Sequence, residues 1–308
     1  MKKEKTNRTF LWRQFKKNYG GYAYLIPVLV GIFVFTLLPM IVSLVYSLHD
    51  YYPLRMENQL VNFGLHNYKK IFTINWEGVS RSLFITFRYA ILSVALNLTG
   101  SYILALFLNN KMRGTKFFRI FYLLPGLIPA IAGALLWKDI TRVNSGYINL
   151  ILEAVGLPTY TFYEAVETVL PTILITSIVG WGGSTIMWLA QMQNVPDSLY
   201  ESAKIDGANY LQRTFKITLP MTTPMIFYQL ITSIIAALQV FGNFYTLKNG
   251  IADPEINFIV IMIYDAAFGG GGGFGYACAL SWVLFVIIGL ITLFVFKTNK
   301  WVYYGEEM

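Results

Sequence analysis

Charge is what this sequence has least of. Only 13% of its 308 residues are Asp, Glu, Lys or Arg, against about 25% in an ordinary soluble domain. Hydrophobic residues make up 56% and aromatic residues 17%, and mean hydropathy is +0.52. A chain this apolar must bury surface, which excludes disorder. Cysteine is nearly absent. The single Cys278 rules out an internal disulfide and leaves no cysteine cluster for zinc or iron–sulfur, so it reads as a small packing residue. Histidine occurs at His49 and His66 alone, and nothing in the spacing positions either for serine–histidine–aspartate catalysis or for a metal site. No Gly-x-x-x-x-Gly-Lys-Ser/Thr loop occurs, and the glycine run Gly269–Gly273 has no following lysine, so no nucleotide cradle is expected. These shortages point away from an enzyme.

Long apolar runs are what the chain does have. A membrane helix needs about 20 mostly apolar residues to cross about 30 Å of hydrocarbon. Six segments qualify: Tyr22–Leu48, Phe84–Leu108, Ile120–Trp137, Val169–Met192, Met225–Phe244 and Tyr276–Phe296. The third is short and carries Pro125 and Pro129, while the first holds Pro27 and Pro39; membrane helices tolerate proline where neighbours satisfy the freed carbonyls. The first run is too long for the apolar core of a signal peptide and lacks a convincing cleavage site, so it is expected to stay as an anchor. Basic residues set the orientation. With the N-terminus inside, residues 1–21, 109–119, 193–224 and 297–308 face the cytoplasm and hold 16 of the 24 Lys and Arg, but only 6 of the 16 Asp and Glu. The net charge of +8 is therefore a topological signal, and it calls for no nucleic acid. The expected partner is the lipid bilayer of a cell membrane, crossed several times, with both termini cytoplasmic. The glycine run at Gly269–Gly273 falls in an outer connection, as a flexible joint or as a mobile loop touching an external partner.

The inner connection from Asn194 to Pro220 carries helix punctuation. Ser198 with Glu201 has capping-box spacing, Asn209 with Gln212 repeats it, and Asp206-Gly207 signals a tight turn. Pro220 is expected to end the second helix. The prediction is a short helix, a turn and a second helix, with Leu199, Ala203, Leu211 and Phe215 as apolar contacts on a polar hairpin.

Those residues resemble the EAA loop of ABC-transporter membrane subunits: Glu201-Ser202-Ala203, three residues, Gly207, nine residues, then Ile217-Thr218-Leu219-Pro220. The wider run Pro196-Asp197, Leu199-Tyr200-Glu201, Asp206-Gly207-Ala208 and Phe215 is similar to the carbohydrate-uptake branch. Arg119, Leu124-Pro125, Trp137 and Gly275-Tyr276-Ala277 match too, and the tail Lys300-Trp301-Val302-Tyr303-Tyr304 is similar to the first of two paired sugar permeases. Ser202 replaces a usual alanine, and Leu247-Lys248-Asn249-Gly250 stands where Gly-Gly-Pro is common. The resemblance implies an all-α polytopic membrane protein of about six transmembrane helices, the type I ABC importer permease fold. It divides the chain into a basic segment at 1–21, a permease domain at 22–296 with a coupling hairpin at 194–220, and a cytoplasmic tail at 297–308. It further implies import of a sugar or oligosaccharide. The partners would be a second homologous permease in a heterodimer, two cytoplasmic ATPase subunits and an extracellular solute-binding protein. ATP and Mg would be used by the ATPases, with no cofactor bound by this chain. Tyr200, Glu201, Ala203, Asp206, Gly207 and Ala208 would meet the ATPase.

Solute contacts would lie within the spans, where polar groups face a cavity or glue helices together. The candidates are Trp181 and Trp188 in the fourth span, and Tyr228, Gln229, Ser233, Gln239 and Asn243 in the fifth, with Gln229, Ser233 and Gln239 near one stripe. Arg88 reads as an interfacial snorkel. Two other readings stay open: an ABC permease for another organic solute, and an ion-coupled transporter, although the central spans are almost free of Asp and Glu.

Overall fold

Apolar runs of this length leave their backbone groups no partners in lipid except one another, so they coil into helices. The computed structural model describes residues 24–51, 60–110, 114–248, 253–269 and 273–303. The basic segment at 1–21, the end of the tail, Asn249-Gly250 and the centre of the glycine run lie outside the described residues.

The helices in chain order begin with α1 (Tyr24–Ser47), α2 (His66–Phe72), α3 (Trp76–Asn109), α4 (Thr115–Leu123), α5 (Ala130–Ile140) and α6 (Tyr147–Ala154). Next come α7 (Val166–Gln193), α8 (Asp197–Ile205), α9 (residues 210–221) and α10 (Thr223–Leu238). The last are α11 (Gly242–Tyr245), α12 (Asp253–Ile256), α13 (Ile259–Phe268) and α14 (Phe274–Lys297). The only sheet among the described residues pairs β1 (Asp50–Tyr51) with β2 (Leu60–Val61). Among the described residues five helical stretches are long and apolar enough to cross a membrane, six if one bent pair counts as a span.

That bent pair corrects the third span. Phe117–Leu127 and Ala130–Ile140 meet at 97°, so Ile120–Trp137 is not one straight helix. Pro125 opens a 3₁₀ turn at Leu124–Leu127, and Ile128 and Pro129 are then extended (ψ 128° and 134°). A residue before proline is pushed out of the α region, which places the break at Ile128. The second span is also longer than expected, beginning at Trp76 instead of Phe84.

Two prolines share a backbone setting. Pro39 and Pro220 each follow a π turn, at Phe33–Leu37 and Thr214–Thr218, in which Leu38 N–H bonds Phe33 O and Leu219 N–H bonds Thr214 O. A proline interrupts the i→i−4 ladder, and a turn one residue wider re-satisfies the backbone around it. The second arm of the hairpin ends beside Pro220, as expected: helix stops at residue 221, Thr222 leaves it (φ −99°, ψ 0°), and α10 starts at Thr223.

The described residues fall into two compact units. In the first, built from the chain up to Lys70 with Ala266–Trp282, Asn67 Nδ2 donates to Ser47 O (3.2 Å) and His49 O (2.9 Å), and Trp282 Nε1 donates to Ser43 Oγ (3.1 Å). Tyr46 stacks on Tyr51 with centroids 4.0 Å apart, and Phe274 meets both edge-on. Asp50 bonds His66 (2.6 Å) and accepts from Asn62 (3.2 Å), with Lys70 at 3.8 Å. Burial pushes the Asp50 carboxyl up, but these partners outweigh it and hold it below the usual aspartate value.

In the second unit, Ile71–Asp265 with Val283–Met308, α3 packs along α7 and α10. Trp188 is 1% exposed, donates Nε1–H to Ser101 Oγ (2.9 Å) and meets Tyr102 edge-on. Ala105, Trp188 and Met192 form the core of this seam. Gly100 is what lets α7 come so close, because a Cβ there would fall 1.9 Å from the Trp181 ring. At the other end of α3, Arg88 is ion-paired with Glu255 of α12 instead of snorkelling alone, and Ile259 N donates to Thr86 Oγ1 (2.9 Å).

Candidate functional site

Two places in the second unit gather polar chemistry. The first is the hairpin α8–α9. α8 opens at Asp197 behind Pro196, with no side-chain cap, so the Ser198–Glu201 box does not form; proline fixes the entry angle and Asp197 meets the positive end of the helix. Its C-terminus is closed by two bonds, Ala208 N to Ala203 O (2.8 Å) and Gly207 N to Lys204 O (3.1 Å), around Gly207 at φ +76°. This is a Schellman closure, and it needs the left-handed residue that glycine supplies without strain. The second arm opens with the expected box: Asn209 Oδ1 accepts from Gln212 N, and Asn209 N donates to Gln212 Oε1, both at 2.8 Å. The Tyr200 and Thr218 hydroxyls, 2.9 Å apart, tie the arms together.

A hairpin so closed on itself still shows apolar surface. Ile205 is 87% exposed, Leu211 63% and Phe215 64%. Of the expected partner-contacting residues, Ala203, Asp206, Gly207 and Ala208 line one groove of about 430 Å³ between the arms, and Glu201 is exposed on α8.

The second place is a cleft of about 180 Å³ inside the helix bundle. It is lined by Tyr89, Ser93 and Asn97 of α3, Ser177 and Trp181 of α7, and Ser233 of α10. Asn97 Oδ1 is buried without a hydrogen-bond partner, a costly state that an incoming donor would relieve. Of the seven pathway candidates, the cleft brings together Trp181 and Ser233. Trp188 and Gln229 are placed as helix–helix contacts, the latter donating Nε2–H to Ser184 O (3.3 Å). Tyr228 is 51% exposed on another face of α10. Gln239 leaves the stripe because α10 stops at Leu238, and Asn243 falls in the separate α11, beyond the break at Phe241 (φ −146°, ψ −79°). Sequence reasoning passed over Tyr89, Ser93 and Asn97, although their spacing of four residues on one helix was a readable signal. Among the described residues no three His, Cys, Asp or Glu side chains converge to hold a metal ion.

A bundle of apolar spans, a polar cleft within it and a stiff polar hairpin at one end define a polytopic membrane protein of the permease class. The chain belongs to the family described as binding-protein-dependent transport system inner membrane component, whose model matches residues 97–300. It is 37% identical to the probable ABC transporter permease protein YesP of Bacillus subtilis, over 95% of this chain and 94% of that one. The trehalose/maltose transport system permease protein MalF of Thermococcus litoralis is 29% identical, over 91% and 93%. A crystallised bacterial ABC transporter involved in alginate import superposes with TM-score 0.82 at 24% identity, covering 94% of this chain and 98% of that one. The fold is thus the all-α ABC importer permease fold, and the relatives are transport permeases.

Proposed function

We propose that this chain is one half of the translocation pathway of an ATP-driven importer for a sugar or oligosaccharide. The hairpin carries the proposal: a helix pair locked by its own backbone bonds, with Ile205, Leu211 and Phe215 exposed, transmits a push as a rigid body and presents apolar surface to a partner. That partner is a separate cytoplasmic ATPase, which supplies ATP and Mg chemistry while this chain performs no catalysis. Tyr200, Glu201, Ala203, Asp206, Gly207 and Ala208 form the contact. The orientation that follows puts the hairpin and both termini in the cytoplasm.

Sugar as the solute class is supported by the named relatives and by the lining of the cleft. Hydroxyls, an amide and two aromatic rings suit a ligand with many hydroxyls and flat apolar faces. At about 180 Å³ the cleft is below the ~300–1,000 Å³ of a complete ligand pocket, as befits a pathway shared with a second, homologous permease. A solute-binding protein would deliver from the other side; a related alginate transporter is known in complex with its periplasmic protein. The test is to substitute Glu201 and Gly207 singly and measure sugar uptake and co-purification of the ATPase. Loss of both supports the coupling role, whereas unchanged uptake and assembly in both variants would sink it.

A further inference from the structure

A further cavity borders the hairpin, distinct from the groove between its arms and from the cleft in the bundle. It encloses about 670 Å³ between the end of α3, the start of α4 and both arms of the hairpin. Three cationic side chains line it, Arg119 from α4, Lys204 from α8 and Arg213 from α9, against the single carboxylate of Asp197. None of the four makes an ion pair among the described residues. Arg119 spends one N–H on Leu108 O (3.0 Å), but its Nε–H is buried with no acceptor. Arg213 donates only weakly, at 3.5 Å, to Asn209 O. Tyr200, Asn109 and further hydroxyl and amide side chains complete the wall.

Like charges converging on a polar hollow repel unless an anion joins them, and a buried guanidinium N–H is costly while it lacks an acceptor. The geometry points to a binding site for a phosphate group, which presents strong acceptor oxygens and negative charge, one as a diester and about two as a monoester, and which guanidinium groups match with paired N–H bonds. The volume exceeds what inorganic phosphate needs, so the group arrives on a larger body. Two sources share this chemistry: the headgroup of an anionic phospholipid, and a soluble phosphorylated metabolite such as a sugar monophosphate. Either would pin both arms of the hairpin to α4, because each structure contributes one cation. Occupancy would therefore restrain the hairpin's movement, independently of which solute is carried.

The experiment uses the assembled membrane complex in nanodiscs of phosphatidylcholine, analysed by native mass spectrometry. In one arm phosphatidylglycerol is added to the bilayer; in the other, glucose 6-phosphate is added to the buffer. Binding of one probe is expected to weaken at least tenfold in the double variant Lys204→Gln/Arg213→Gln and to stay unchanged in Lys297→Gln, which lies at the end of α14 outside the cavity. The probe that behaves so identifies the source. Binding to the unmodified complex should also weaken as salt rises from about 0.01 M to 1 M, a readout that needs no variant. Failure of both probes to bind, binding that ignores the double substitution, or binding that ignores salt would each overturn the proposal.

Discussion

The hairpin and the cleft keep their polar groups in opposite ways. In the hairpin, backbone bonds close on themselves at Gly207 and at Asn209–Gln212, and apolar side chains stand exposed: Ile205, Leu211 and Phe215. In the cleft, within apolar helices, hydroxyl and amide side chains gather, and one polar group, the buried oxygen of Asn97, is left unsatisfied. Each region thus lacks what a different visitor brings. The hairpin is finished as a local structure and unfinished as a surface, so it suits a macromolecular partner. The cleft is finished as packing and unfinished as a hydrogen-bond network, so it suits a small hydroxylated solute.

The sharpest way to break the comparison is at Gly207. A Cβ there meets nothing of this chain within 4 Å, so within the hairpin the cost of a side chain comes from φ +76°. Left-handed backbone costs a bulky residue about 1–2 kcal/mol. Gly207→Val should reduce uptake at least tenfold and release the ATPase during purification, while Gly207→Asn, which tolerates that conformation, keeps most of both. Equal losses in the two variants would show that side-chain bulk, not the turn, is what matters.

Trp188 sharpens the contrast from the packing side. It belongs to the seam beside the cleft, so Trp188→Ala should destabilise the protein by about 3–5 kcal/mol, seen as a lower thermal midpoint. The milder Trp188→Phe removes only the N–H donated to Ser101 Oγ, whose own bond to Asn97 O remains, and should cost about 0.5–1.5 kcal/mol, with the uptake KM little changed. A raised KM at a normal midpoint would move Trp188 from packing to solute contact.

Asn97→Leu should do the reverse of Trp188→Phe. Removing an unpaired buried oxygen leaves the midpoint equal or higher, while the uptake KM rises about tenfold, the value of roughly 1.4 kcal/mol of lost hydrogen bonding. If KM is unaffected, the cleft is not on the path.

The smallest effect lies outside both regions. Asp50 is held below the ordinary aspartate value of 3.8, so its bonds add stability above that pH, and the contribution fades as pH falls through the lower native value. Asp50→Asn should flatten the acid-side decline of the thermal midpoint below about pH 4 and leave it nearly unaltered near neutrality. An identical acid decline in both proteins would remove Asp50 from the account.

Much of this was legible before any coordinates, for identifiable reasons. Long apolar spans follow from composition and length, and the hairpin from residues that act within a few positions of themselves: Gly207 at its turn, Asn209 with Gln212 at its second start. The errors came where tertiary or backbone context overrides a local rule. Ser198 and Glu201 had capping spacing, but Pro196 set the helix start first. Pro125 and Pro129 broke a span that hydropathy drew as one. The stripe extrapolated from Gln229 to Gln239 ran past the end of its helix. The cleft was half readable, since Trp181 and Ser233 come from different helices and only packing shows that Tyr89, Ser93 and Asn97 face them.

The wide turn at Thr214–Thr218 has a consequence for any helical wheel drawn across it. One surplus residue advances the angular phase by about 100°, so Leu219–Met221 occupy azimuths that an uninterrupted coil would assign to their neighbours. Deleting a single residue within that segment would re-clock Leu219–Met221 against Tyr210–Arg213 and so change the direction in which the second arm hands the chain on to Thr222.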